Sequence, residues 1–298
     1  MNLYELQNAG NKATSKFFQQ MIDDKIREWG EKKIDESQYH SQLSILYGEM
    51  YNSEACKKHA GLMPGWSEAQ EKTGALNAVA RILVYEKKIE EALDYYQQAF
   101  ALDPGHEISI EEAGWCCLEL KQWEQAEDWF TKGTLLKDDT EPFWEGLGLT
   151  MAQQKKYEEA LPAFKKGREQ CHILHGYYYD HLIGQCYANL NDFYRALGHY
   201  TKCLDANPTY TNALNDIATL YFNEEGDMDT AINYLKKAEA IAESNKEDSI
   251  LQLIYMNLSR IYRKIKEFEL HQYYHAKMME KLGFGSLFNF NDDEDEED

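Results

Sequence analysis

Between Thr73 and His106, Leu76, Val79, Ala80 and Leu83 fall on one face of a predicted helix, and Ala92, Tyr96 and Ala99 fall on one face of a second. Steps of three and four residues gather side chains into a single stripe that has to be covered by another element. Pro104 closes the second helix, because proline cannot continue the amide ladder. The pattern then returns. Gly114, Ala126 and Phe130 lie 34 residues beyond Ala80, Ala92 and Tyr96, and Gly148, Ala160 and Phe164 lie 34 beyond those. A fixed period of this length predicts stacked helical hairpins, each covering the apolar stripe of its neighbour.

The register divides 73–283 into about six units: 73–106, 107–140, 141–174, 177–210, 211–245 and 252–283. In the first five, a small residue on the first helix is matched by an Ala twelve or thirteen residues later: Ala80 with Ala92, Gly114 with Ala126, Gly148 with Ala160, Gly184 with Ala196, Ala218 with Ala231. These pairs are expected to face each other where the two helices approach most closely. Two extra residues near Cys171 to Gly176 and one near Gly226 are assigned to turns. In the sixth unit Leu258, Ser259, Tyr262 and Phe268 fit, but His271 stands where the Ala belongs. Residues 1–72 read as a divergent helical cap, with stripes at Phe17, Phe18, Met21, Ile22, Ile26 and Trp29 and at Leu43, Leu46, Tyr47, Met50 and Tyr51. Gly48 and Ala60 repeat the twelve-residue separation there, and Pro64 is expected to cut the second helix short. Residues 284–298 read FGSLFNF, then Asn291 and seven consecutive acids, a run that cannot bury itself and is expected to be a disordered tail.

Trp144, Leu147 and Gly148, followed by Met151, Ala160 and Phe164, give the spacing W-x2-L-G-x2-[large]…A-x3-F, which resembles the tetratricopeptide repeat. That resemblance implies an all-α, right-handed superhelical solenoid of stacked antiparallel helix pairs that binds a peptide or protein on its concave face. It also implies which positions of the first helices point into the groove. Carried onto this chain they include Asn77, Arg81 and Tyr85; Glu111, Trp115 and Glu119; Glu145 and Gln153; His181, Gln185 and Asn189; Asn212, Asn215 and Asn223; and Arg260, Arg263 and Lys264. An amide side chain both donates and accepts, so Gln185, Asn189, Asn212, Asn215 and Asn223 are expected to hold the backbone of an extended peptide. Trp115 is expected to anchor it. Glu111, Glu119 and Glu145 suit a basic segment, whereas Arg260, Arg263 and Lys264 suit an acidic one. The clamp of Lys, Asn and Arg by which some family members hold chaperone peptides is missing, since Asn77, Arg81, Glu112, Pro142 and Gly146 stand at its positions. The layout of a helical cap before an array is also similar to that of bacterial peptide-sensing regulators.

Charge narrows the partners. With 31 Lys and Arg against 52 Asp and Glu, the formal charge of −21 disfavours nucleic acid and an anionic membrane surface. No basic-then-apolar export signal opens the chain and no apolar run is long enough to span a bilayer, so it reads as cytoplasmic. The six cysteines show no C-x-x-C spacing and read as small core residues of a reducing compartment. His271 with His275, and His172 with His175, lack a third ligand, and no phosphate loop or nucleophile elbow is found. The sequence thus points to a protein-protein interaction scaffold without catalysis, metal or cofactor. Two alternatives stay open: a peptide-responsive signalling regulator with the N-terminal helices as effector, and an acidic protein that neutralises a basic toxin or enzyme.

Overall fold

The computed structural model describes residues 3–65 and 67–283, with side chains over 16–65, 67–223 and 226–283. The expected acidic tail at 284–298 lies outside the described residues. Among these, the secondary structure is helical throughout, arranged in two compact units, 1–155 and 156–298.

The first unit contains α1 (Leu3–Gly30), α2 (Glu36–Glu49), α3 (Ser53–Gly61), α4 (Ala69–Tyr85), α5 (Ile89–Leu102), α6 (Glu107–Glu119), α7 (Trp123–Leu136) and α8 (Glu141–Gln153). Helices α2 with α3, α4 with α5 and α6 with α7 pack as hairpins, and α2, α4, α6 and α8 also pack on one another in succession. The second unit contains α9 (Tyr157–Gln170), α10 (Gly176–Asn189), α11 (Phe193–Ala206), α12 (Thr211–Leu220), α13 (Met228–Asn245), α14 (Asp248–Lys264) and α15 (Phe268–Lys281). Its hairpins are α10 with α11, α12 with α13 and α14 with α15, with α10, α12 and α14 in succession.

Most of the hairpins turn in the same way. After α6, the Lys121 amide bonds to the Leu118 carbonyl at 3.1 Å and the Gln122 amide to the Cys117 carbonyl at 2.8 Å, which satisfies the last carbonyls of the helix. Such a closure needs a left-handed residue, and Lys87, Lys121 and Lys155 supply it with φ of 62°, 58° and 61°. Asn191 and Lys266 do the same at 57° and 67°. In the fifth unit the additional residue is absorbed by a π turn over Tyr221–Glu225, and Gly226 takes the left-handed place at φ 66°. The two residues added near Cys171 are absorbed by a single 3-10 turn, Ile173–His175.

The small residues are buried as expected, and several of the glycines lie against rings. Gly114 faces the ring of Phe130: a Cβ there would sit 2.8 Å from the ring. Gly146 on α8 approaches the same ring, so fully buried Phe130 is held between two glycines. Gly184 likewise meets the ring of Tyr200, Gly133 that of Phe143, and Gly167 that of Tyr179. The glycines are slots for rings. In the N-terminal hairpin the Cys56 carbonyl accepts the Ser44 hydroxyl at 3.1 Å, and Gly48 packs on Ala78 of α4. Helix α3 ends at Gly61, before Pro64. In the last hairpin, Ser259 and His271 replace the small pair with a 2.8 Å hydrogen bond between the hydroxyl and Nδ1.

Five of the six cysteines are buried. Burial pushes the Cys117 thiol up to about 11 and those of Cys116, Cys186 and Cys203 up to about 12, which leaves them protonated and unreactive at neutral pH.

Candidate functional site

In the first unit, α4, α6 and α8 carry the residues expected to meet a partner. Asn77 is not among the exposed ones. It is only 6% exposed, and its amide donates to the Thr73 carbonyl and to the Ser109 hydroxyl, both at 3.0 Å, while Ser109 donates back to Oδ1 at 3.1 Å. This corrects the expectation of a groove donor: at its repeat position the side chain turns toward the next first helix and stitches α4 to α6. Arg81 is exposed and paired with Glu49, and Tyr85 is exposed with its ring 4.6 Å from that of Tyr51.

The acidic residues converge on α6. Burial, followed by the charge of neighbouring Glu112, holds the Glu111 carboxyl above the usual range. Glu145 and Glu107 push the same way, and a hydrogen bond with Trp115 only partly offsets them. Burial also raises Glu112, against the pull of Arg81. Trp115 is half-buried, its ring edge-on to Phe130 at 5.2 Å between centroids. Glu145 is half-buried and Gln153 exposed. The result is a cluster of carboxylates, with Arg81 acting on Glu112 and Lys137 paired with Glu107 at 3.2 Å, beside half-buried or exposed aromatic rings.

In the second unit the predicted residues are held together by one that sequence reasoning missed. Asp216 on α12 accepts from His181 Nε2 and from Gln185 Nε2, each at 2.9 Å. Buried His181 also packs edge-on to Tyr210 at 5.1 Å. Asn215 is 2% exposed, so it too is corrected from groove donor to stitch: its Oδ1 accepts from Asn257 Nδ2 at 2.9 Å, joining α12 to α14. Asn189 is exposed and donates to the Gln185 carbonyl at 2.8 Å, and Asn223 is exposed. The 35-residue step from His181 to Asp216 was the available signal for the polar triad. A separate network centred on buried Asp180 joins α9, α10 and α11. Burial alone would raise Asp180, but bonds from His199 at 3.0 Å and from Arg168 at 2.9 Å outweigh it and hold the carboxyl below its usual range.

The outward face of α14 is different again. Leu253 and Met256 are exposed, followed by Arg260, Arg263 and Lys264. Phe222, just past α12, lies under both the Arg260 guanidinium, 5.1 Å from the ring centroid, and the Lys264 ammonium, at 4.6 Å.

The tetratricopeptide repeat family is matched over residues 83–148 in the first unit and over 181–210 and 211–245 in the second. Over these residues the chain carries tetratricopeptide repeats. It is 24% identical over 155 residues to the anaphase-promoting complex subunit CDC16 of Saccharomyces cerevisiae, a stretch that is 51% of this chain and 18% of the yeast protein. Solved structures similar to it include PilW, a type IV pilus biogenesis factor, with a TM-score of 0.61, 18% identity, and coverage of 71% of this chain and 94% of that one. The C-terminal part of a repeat-containing protein from Cytophaga hutchinsonii gives a TM-score of 0.61 at 11% identity, covering 80% of this chain and 94% of that one. At these identities the solved structures speak to the fold alone. Among the described residues, no group of three or more His, Cys, Asp or Glu side chains is placed to hold a metal ion. None of the described helices is long and apolar enough to cross a membrane.

Proposed function

We propose that this protein is an interaction scaffold whose first unit takes a basic, extended segment of a partner on the faces of α4, α6 and α8. The observation that carries this reading is the gathering of Glu107, Glu111, Glu112 and Glu145 on α6 and α8, where burial and then the charge of Glu112, Glu145 and Glu107 hold Glu111 above its ordinary range and burial raises Glu112. A Lys or Arg brought to that cluster relieves like-charge repulsion instead of adding to it, and charge placement of this kind sets specificity and on-rate. Trp115 and Tyr85 supply flat apolar surface on which an Arg guanidinium or an aromatic side chain can lie. Arg81, already engaged by Glu49, limits how far the acidic surface extends.

In the second unit the proposed contacts are the exposed amides Asn189 and Asn223, with Gln185 set in place by Asp216. Selection of displayed peptides on the full chain tests the reading. Wild type should enrich sequences carrying two or more Lys or Arg, and the Glu111→Lys, Glu145→Lys double variant should lose them. Enrichment of the same sequences by both proteins would overturn it.

A further inference from the structure

The surface of α14 offers a second docking site, of opposite charge to the first. In a chain of net charge −21, Arg260, Arg263 and Lys264 form a cationic cluster within one helical turn, and among the described residues none of the three is paired with a carboxylate. Leu253 and Met256, 37% and 39% exposed, continue the same face toward the start of the helix. The face therefore runs from apolar to cationic.

The end of α15 lies at the apolar end of this face. Gln252 Nε2 donates to the Lys281 carbonyl at 2.9 Å, and Lys281 pairs with Asp248 at 2.6 Å. The sequence that follows has the complementary order: Phe284, Leu287, Phe288 and Phe290 come first, and the acids Asp292 to Asp298 come after. The lengths agree as well. Gln252 to Lys264 spans about 18 Å of helix at 1.5 Å per residue. Residues 284–291, if extended, reach about 26 Å, enough to bring the first acids alongside Arg260 and Lys264. We propose that residues 284–298 dock along α14 of the same chain, with the Phe and Leu side chains on Leu253, Met256 and Phe222 and the acidic run on Arg260, Arg263 and Lys264. This site lies wholly in the second unit and does not depend on the basic-segment reading of the first.

Intramolecular photo-crosslinking in the full chain tests the proposal. Benzoylphenylalanine in place of Phe288, irradiated in dilute solution, should join to the peptide containing Leu253 and Met256 within one chain. The Arg260→Glu, Lys264→Glu double variant should lower that yield about fivefold or more, the loss expected for a few part-exposed ion pairs. A second variant, with the seven acids changed to Asn or Gln, leaves the helices untouched and should lower it as much. Products joining two chains, crosslinks to other helices, or a yield that neither variant changes would each overturn the proposal.

Discussion

Gly146→Ala places a methyl group inside the space of the Phe130 ring. The new Cβ would stand 2.2, 2.3 and 2.5 Å from three ring carbons. Carbon atoms settle about 3.5–4.0 Å apart, so the ring has to retreat by more than about 1 Å. Phe130 is fully buried, and the same ring carbons are also the nearest neighbours of Gly114 on α6, so a retreat displaces packed groups. Overpacking of this kind costs roughly 1–3 kcal/mol, and the full burial of the ring argues for the upper end. Against it stands the better helix propensity of Ala, about 1 kcal/mol. The expected net loss is about 2 kcal/mol. Gly198→Ala is the internal control, because nothing lies within 4 Å of a Cβ there and the site is exposed within α11. It should gain about 1 kcal/mol from propensity alone. The difference between the two variants, about 3 kcal/mol, then isolates the packing cost. Urea unfolding followed by helical circular dichroism measures it, with m checked because repeat arrays can lose cooperativity. A Gly146→Ala protein as stable as Gly198→Ala would refute the ring-in-slot account.

Lys121→Gly should stabilise the first unit by about 0.5–1 kcal/mol in the same unfolding assay, because Gly adopts the left-handed turn without the steric cost that Lys bears there. Glu111→Gln should raise stability at pH 7 and leave it unchanged below pH 4. A carboxyl whose folded pKa is raised gives its greatest stability below its unfolded value of 4.5, and that stability is lost as pH rises through the folded value. Equal effects at both pH values would contradict the crowding at α6. Asp180→Asn should cost about 2 kcal/mol at pH 7 through the weakened bonds to His199 and Arg168. Because burial is outweighed and the folded value lies below 3.8, the Asp180 contribution is present above that pH and disappears as pH falls through the folded value, so unfolding curves of wild type and variant should converge in acid.

The period, the helical pairs and the turns that absorb insertions could be read from the sequence because a stacked array repeats one local problem, covering an amphipathic stripe, at a fixed interval. What each repeat position touches was less legible. Asn77 and Asn215 occupy positions expected to face a groove, yet both are consumed by the next first helix. Burial there depends on what the neighbouring repeat offers, Ser109 in one case and Asn257 in the other, and a register within one helix does not contain that information. Asp216 was missed for the related reason that its role comes from two side chains on another helix. Ser259 with His271 shows that a close approach can be filled by a hydrogen bond instead of two small residues, which is why the sixth hairpin looked weak. Lys87, Lys121 and Lys155 were a readable signal of the left-handed turn, since they recur every 34 residues.

The proposed role of the carboxylates on α6 and α8 is to receive a basic segment. Its most direct test is the affinity of a selected Lys- or Arg-bearing peptide for wild type and for the Glu111→Lys, Glu145→Lys variant, measured from low to high salt. Tight binding to wild type that weakens steeply with salt, and weak, salt-insensitive or salt-enhanced binding to the variant, is the predicted result. Equal affinity and equal salt dependence for the two proteins would contradict it.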